Sequence, residues 1–213
     1  MDALGERVIE GWGMTENSGG LFTASYPADL TSGDPALMAS AGRPVPGTEV
    51  EVREVDADGV GQLWVRSPAL FRAYWRDPAA TAEALVDGWF NTGDLGTVAH
   101  GVVTVLDRRA DLINSGGMNV YPSEVERVLL ESGLVRECAV VAAPHERWGQ
   151  VPVAFVVCTD AEVLKLDAYL TDRLADYKRP RRIIALNALP RNAGSKIERR
   201  RLTEQTTTFG EIP

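Results

Sequence analysis

The sequence predicts an α+β fold in two parts. Three observations carry this. Short alternating runs and turn signals crowd the first half. Helical spacing of apolar residues begins only near residue 121. Two continuous apolar runs, CAVVAA (138–143) and VPVAFVVC (151–158), read as buried strands within the second half.

Each element follows from local pattern. EVEVR (49–53) and QLWVR (62–66) alternate as half-buried strands do, and VDADGVG between them carries an Asp-Gly turn signal, so the pair reads as a hairpin. A second turn, Asp87-Gly88, precedes Trp89-Phe90, and VVTVL (102–106) is a further strand. Residues 1–106 thus read as a small β-rich unit, and 107–111 as a hinge. YPSEVERVLLES (121–132) reads as a helix: Pro122 suits its first position, and Ser123 with Glu126 has capping-box spacing. Val125, Val128, Leu129 and Ser132 share one face, and Gly133 is a natural stop. A second helix is predicted over 163–177, with Leu166, Leu170 and Leu174 in line and Pro180 ending it. A last strand covers 182–186. Residues 112–202 form a compact α+β domain, and the polar stretch 203–213 reads as a flexible tail.

Composition narrows the function. With 213 residues, 45% hydrophobic and 24% charged, the chain suits a soluble globular protein and excludes collagenous, coiled-coil and wholly disordered classes. A net charge of −8 argues against general nucleic-acid binding, which needs a basic footprint. No apolar run approaches the roughly 18–20 residues of a membrane span. Met1–Arg7 has no apolar signal-peptide core. Two lone cysteines, Cys138 and Cys158, form neither a metal knuckle nor a disulfide scaffold, and a cytoplasmic, reducing compartment is expected. Both lie in apolar runs and read as core thiols.

Four segments carry chemistry. GWGMTE (11–16) sets two glycines beside an aromatic ring, a hydroxyl and a carboxylate. Such a loop can stack a ring on a base, bond a phosphate oxygen through Thr15 and hold Mg²⁺ through Glu16, although an ordinary Gly-rich turn would look alike. GWFNTGDL (88–95) offers Asp94, whose carboxylate can accept from two vicinal hydroxyls of a ribose or simply close a turn. DRRADLINSGGMNVYPSEVE (107–126) offers Arg108, which can reach phosphate or ribose oxygens, and a tight hairpin at Gly116-Gly117. The same stretch would also serve as a charged linker. LPRNAGSKIERRRL (189–202) carries Lys196 on a Gly/Ser loop, a portable positive charge or a solvated lysine.

In this order and spacing the four segments resemble the C-terminal portion of an adenylate-forming, AMP-binding enzyme of the acyl-CoA synthetase or fatty-acid–CoA ligase type. The intervening pieces AGRPVPGTEV, GQLWVRSPALFRAYWRDPAAT and PHERWGQVPVAFVV resemble it too, so the likeness covers residues 5–202. It implies that 1–106 is the end of a large N-terminal domain and 112–202 a mobile lysine domain. It further implies activation of a carboxylic acid, a fatty acid by the character of the linking sequence, with ATP to an acyl-adenylate, then thioester formation with coenzyme A. Trp12 and Gly13 would lie by the adenine, Thr15 by the α-phosphate, and Glu16 on Mg²⁺. Asp94 and Arg108 would hold the ribose. Lys196 would bridge the carboxylate and α-phosphate. Gly116 and Gly117 would admit the pantetheine arm after the second domain turns about the hinge.

Several departures stand out. Trp12 replaces the usual Tyr, Ala110 the usual Asp or Lys of the hinge, and Ser195 the usual Gly before the lysine. His145 occupies a loop position that is often Asp and reads as structural; His100 reads as a turn residue. The family's upstream phosphate loop has no counterpart in the few residues before GWGMTE, so the expectation is a fragment, a truncated product or one half of a split enzyme, with a partner chain supplying the rest. Apolar surface should then be exposed near residues 1–20. From Arg173 to Arg201 ten Lys/Arg stand against Asp176 and Glu198. That local +8 suits attraction of polyanionic ATP and coenzyme A, or a solvated face. The competing functional reading is a non-catalytic module that binds nucleotide or coenzyme A weakly or docks on a partner.

Overall fold

The computed structural model describes residues 8–207. The chain divides into two compact units between Arg109 and Ala110. An α+β architecture is observed, as the sequence predicts.

The first unit is two antiparallel sheets. Strands β1 (Glu10–Gly13), β2 (Leu21–Ser25) and β3 (Arg43–Pro44) form one, with the short helices α1 (Pro27–Leu30) and α2 (Pro35–Met38) between β2 and β3. The other contains β4 (Glu49–Arg53), β5 (Gly61–Arg66), β6 (Leu85–Val86), β7 (Trp89–Ala99) and β8 (Val102–Arg108), in the order β4-β5-β7-β6 with β8 also on β7; α3 (Pro78–Ala84) precedes β6. The predicted hairpin is β4–β5: the Asp56 carboxylate accepts from the Asp58 and Val60 N–H groups and closes the turn. Phe22, Val65 and Phe90 form the buried core between the sheets, with Trp12 and Phe71 packed on it. Ile9 and Leu21 are exposed beside the first motif, in line with the expected apolar surface there. The part of that expectation concerning residues 1–7 lies outside the described residues.

The second unit is a five-stranded sheet covered on both faces. Its strands are β9 (Ile113–Ser115), β10 (Met118–Val120), β11 (Glu137–His145), β12 (Gly149–Val157) and β13 (Arg182–Ala185). Its helices are α4 (Pro122–Glu131), α5 (Asp160–Thr171) and α6 (Arg199–Thr206). The long β11–β12 ladder alternates between two cores. Val140, Ala154 and Val156 face α4 and α5; Ala139, Val153 and Phe155 face Leu189 and Leu202. Burial on both faces explains why these strands read as continuous apolar runs rather than alternating ones.

Three local expectations need correction. The α4 N-cap is Tyr121, and Glu126 makes no capping box, because its carboxylate binds the Val140 N–H and Arg199. The second helix begins earlier and ends at Thr171, since the Thr159–Glu162 pair forms a reciprocal capping box; Leu166, Leu170 and Leu174 are nevertheless all buried. Residues 203–206 are not a loose tail. They complete α6, with Leu202 at 0% and Thr206 at 2% exposure. The remainder of the expected tail, 208–213, lies outside the described residues. Among the described residues no helix is long and apolar enough to cross a membrane.

Leu202 decides whether α6 is structural. Leu202→Ala is expected to cost roughly 2–5 kcal/mol in urea unfolding, as for a buried leucine elsewhere. A residue in a loose tail would cost nothing.

Candidate functional site

The first motif lies on a strand rather than in a free turn. Gly11, Trp12 and Gly13 belong to β1, and Thr15–Asn17 form a single 3-10 turn behind it. A side chain on Gly13 would place its Cβ 2.4 Å from the Gly20 carbonyl oxygen, so only glycine lets β1 and the following loop approach this closely. The Trp12 ring meets Phe22 edge-on at 5.0 Å and borders a cleft of about 230 Å³ with Gly11, Ala41 and Val105. Thr15 is exposed.

Asp94 sits inside β7, and the ladder places it directly opposite Arg108 of β8. The Arg108 Nε lies 3.3 Å from its Oδ1, and the Trp12 indole N–H donates to its Oδ2 at 2.8 Å. The Asp94 side chain is only 7% exposed, whereas that of Arg108 is 65% exposed. Burial pushes the Asp94 carboxyl above the ordinary aspartate range; the Trp12 hydrogen bond and the Arg108 charge pull it back only in part. Glu16 is held as well. The Tyr74 hydroxyl donates to its Oε1 at 3.0 Å, and its carbonyl accepts from the Phe71 N–H at 2.7 Å. Burial, and then Glu16, raise the Tyr74 phenol, so it stays a donor.

The chemistry of the donor set fits a hard cation held largely by other oxygens. Among the described residues no cluster of three His, Cys, Asp or Glu could enclose a metal. Glu16 instead offers one carboxylate, and the neighbouring Asn17 has a buried Oδ1 without a partner among the described residues. A single protein carboxylate suits Mg²⁺ that keeps water and phosphate oxygens.

Lys196, Gly116 and Gly117 belong to the second unit. Asn192 Oδ1 accepts from the Gly194 and Lys196 N–H groups at 2.9 and 3.0 Å. Arg191 donates to the Ser195 carbonyl and pairs with Glu137. Beyond the loop, Arg199 grips both oxygens of Glu126 at 2.6 and 3.0 Å and the Val140 carbonyl at 2.9 Å. Ser195 adopts the left-handed region at φ 62°, the strained setting that the usual glycine would relieve. Of the ten cations between Arg173 and Arg201, nine have a partner; Lys196 is exposed and its Nζ has none among the described residues. The basic run is therefore mostly internal pairing, and one lysine is left available.

At the hairpin, Gly116 has φ 60°, and an added Cβ would stand 2.6 Å from Trp148 Cε3. The Gly116 N–H donates to the Trp148 carbonyl at 2.9 Å. Gly117 faces open space. His145 is structural, its Nδ1 accepting from the Arg147 and Trp148 N–H groups. His100 is a turn residue with φ 52°. Cys138 is buried, its thiol pushed up to about 12 chiefly by that burial, and is no nucleophile.

Comparison with known proteins gives the family. The model of the AMP-binding enzyme family matches residues 1–75, and that of the AMP-binding enzyme C-terminal domain matches residues 124–196. The chain belongs to the AMP-binding, adenylate-forming enzymes. The 2-succinylbenzoate–CoA ligase of Lactococcus lactis subsp. lactis (strain IL1403) is 41% identical over 201 residues, covering 93% of this chain and 42% of the relative. A long-chain-fatty-acid–CoA ligase of Mycobacterium tuberculosis is 39% identical over 207 residues, covering 93% and 40%. The solved structure of o-succinylbenzoate CoA synthetase from Bacillus subtilis, in complex with the acyl-adenylate intermediate OSB-AMP, matches with a TM-score of 0.81 at 34% identity, over 94% of this chain and 42% of that one. The chain thus spans well under half the length of these relatives.

Three long-range contacts of this AMP-binding chain were not foreseen, the Trp12–Asp94 hydrogen bond across 82 residues among them. Tyr74 lies in the family-like stretch GQLWVRSPALFRAYWRDPAAT, but nothing local links it to Glu16, 58 residues away. The Glu126–Arg199 pair spans 73 residues.

Two outcomes are expected. Ionising Asp94 costs the folded state, a cost absent below the ordinary aspartate value and complete above the raised native one. Stability in urea unfolding should therefore fall as pH rises through that window, and Asp94→Asn should remove this component of the pH dependence. Gly116→Ala should destabilise the protein by about 2 kcal/mol or more, from left-handed strain plus the Trp148 clash. Gly117→Ala should carry the strain alone.

Proposed function

We propose that this chain carries part of the machinery of an acid–CoA ligase: ATP-dependent adenylation of a carboxylic acid, then transfer of the acyl group to coenzyme A. The observation that carries the reading is Lys196, on a braced loop, whose ammonium has no partner among the described residues while the nine other cations of its run have one. Similarity to 2-succinylbenzoate–CoA and long-chain-fatty-acid–CoA ligases supports the class of reaction. Those two relatives are named for 2-succinylbenzoate and for a long-chain fatty acid, so the acid is proposed at the level of a carboxylic acid, and the fatty-acid expectation becomes one arm of the assay.

In the first reaction an acid carboxylate oxygen bonds to the α-phosphorus while the bond to pyrophosphate breaks. Two anions must meet, so positioning and charge neutralisation dominate. A cation on an exposed side chain suits that encounter. Lys196 would neutralise the approaching oxygens. Asp94 and Arg108 would hold the ribose, Trp12 and Gly13 would border the base, and Thr15 would contact the α-phosphate. Glu16, fixed by Tyr74, would hold Mg²⁺, which when bound supplies further charge neutralisation at phosphate oxygens. In the second reaction the coenzyme A thiol bonds to the acyl carbon and AMP leaves, with the open space at Gly117 suited to the pantetheine arm.

A second reading, weak nucleotide or coenzyme A binding without turnover, is kept because the assigned residues are split between two units and the chain spans 42% of its relative. Acid-dependent ATP–pyrophosphate exchange across short, medium and long fatty acids and aryl acids separates the two. Exchange that falls at least about 100-fold in Lys196→Ala supports adenylation, as loss of an electrostatic stabiliser would. AMP binding with no exchange for any acid supports the binding module.

A further inference from the structure

The carboxylate of Asp94 has about four acceptor positions, two on each oxygen. The Trp12 indole N–H occupies one on Oδ2, and the Arg108 Nε lies against Oδ1. Among the described residues, one position on each oxygen remains without a partner. Two acceptors on adjacent oxygens of one carboxylate match the two donors of a vicinal diol. The match depends on rotation: if the carboxylate turned about its Cβ–Cγ bond, the remaining positions would no longer point the same way. Arg108 is a poor brake on that rotation, because its side chain is mostly exposed. Trp12 is a good one. Its ring is packed edge-on against the buried Phe22, and an indole N–H has one fixed direction.

We propose that Trp12 is the positioning residue that fixes Asp94 for a ribose diol, and so sets discrimination between a ribonucleotide and its deoxy analogue. This goes further than a ring that borders the base, and it rests on the nucleotide reading given above. It also gives the indole a task that a plain aromatic ring does not perform. A site whose buried acceptors are all oriented rejects an analogue that leaves one of them unpaired.

The test uses Trp12→Phe, which keeps an aromatic ring against Phe22 and removes the N–H, with circular dichroism confirming the fold. Binding of AMP and of 2′-deoxy-AMP is measured by calorimetry for both proteins. The chain itself is expected to prefer AMP about tenfold, one buried hydrogen bond's worth. In the Phe variant that preference should fall to within about twofold, chiefly through weaker AMP binding. A carbon-detected titration of Asp94 gives a readout without ligand: its midpoint should rise in the variant, because a hydrogen bond to the ionised form is gone. An unchanged Asp94 midpoint, or an unchanged AMP preference in the variant, overturns the role of Trp12 and leaves the nucleotide reading intact. A parent chain that binds neither nucleotide, or both equally, overturns the ribose reading and this proposal with it.

Discussion

A carboxylate set inside a sheet must be partnered, and much of the first unit is arranged around that requirement. Leaving a charge buried and unpaired costs several kcal/mol, far more than a surface ion pair returns. Asp94 meets the requirement through two strands at once. The register of β7 on β8 brings Arg108 opposite it, and the docking of β1 through Phe22 brings the Trp12 indole to its other oxygen. The polar contact and the apolar core therefore depend on each other. Moving either sheet by one residue would reverse the side-chain directions and break both.

The second unit answers a similar constraint with a cation. Arg199 enters between α4 and β11, where Glu126 and the Val140 carbonyl share its donors and the Val140 N–H closes the arrangement on Glu126. Asp111 lies 3.9 Å from its Nε. One guanidinium thus ties α4, β11, α6 and the first residues of the unit. Its planar fork suits several acceptors at once, which an ammonium would serve poorly. That anchoring is why the charged RRRL stretch, polar by composition, forms a docked helix with Leu202 in the core.

What the sequence reveals divides along the same line. Features encoded within a few residues were legible: the Asp-Gly and Gly-Gly hairpins, the buried face of α4, the leucines of α5, and the order of the motifs. Features encoded by contacts 58 to 82 residues apart were not, and these orient the site: Tyr74 on Glu16, Arg199 on Glu126, Trp12 on Asp94. Glu126 shows why a local rule fails. Its spacing from Ser123 fits a cap, but a guanidinium and a buried N–H offer a carboxylate more than a helix start does. The basic run shows the converse: counted along the chain it is a patch, and in three dimensions it is mostly ion pairs.

The two units also differ in what they immobilise. Glu16 and Asp94 are fixed at the tips of their side chains by aromatic donors. Lys196 is fixed at its backbone by Asn192, and its tip has no partner among the described residues. On the proposed reading each choice suits the charge being met. A diol or a bound cation stays where it is, so its acceptors gain from being fixed in advance and pay no ordering entropy on binding. A transferring group changes position and charge as it reacts, so its cation gains from a rigid base and a free end. The left-handed Ser195 beside the lysine is consistent with this: the loop's hydrogen bonds hold a backbone shape that the residue itself disfavours, and so keep the lysine's point of attachment fixed.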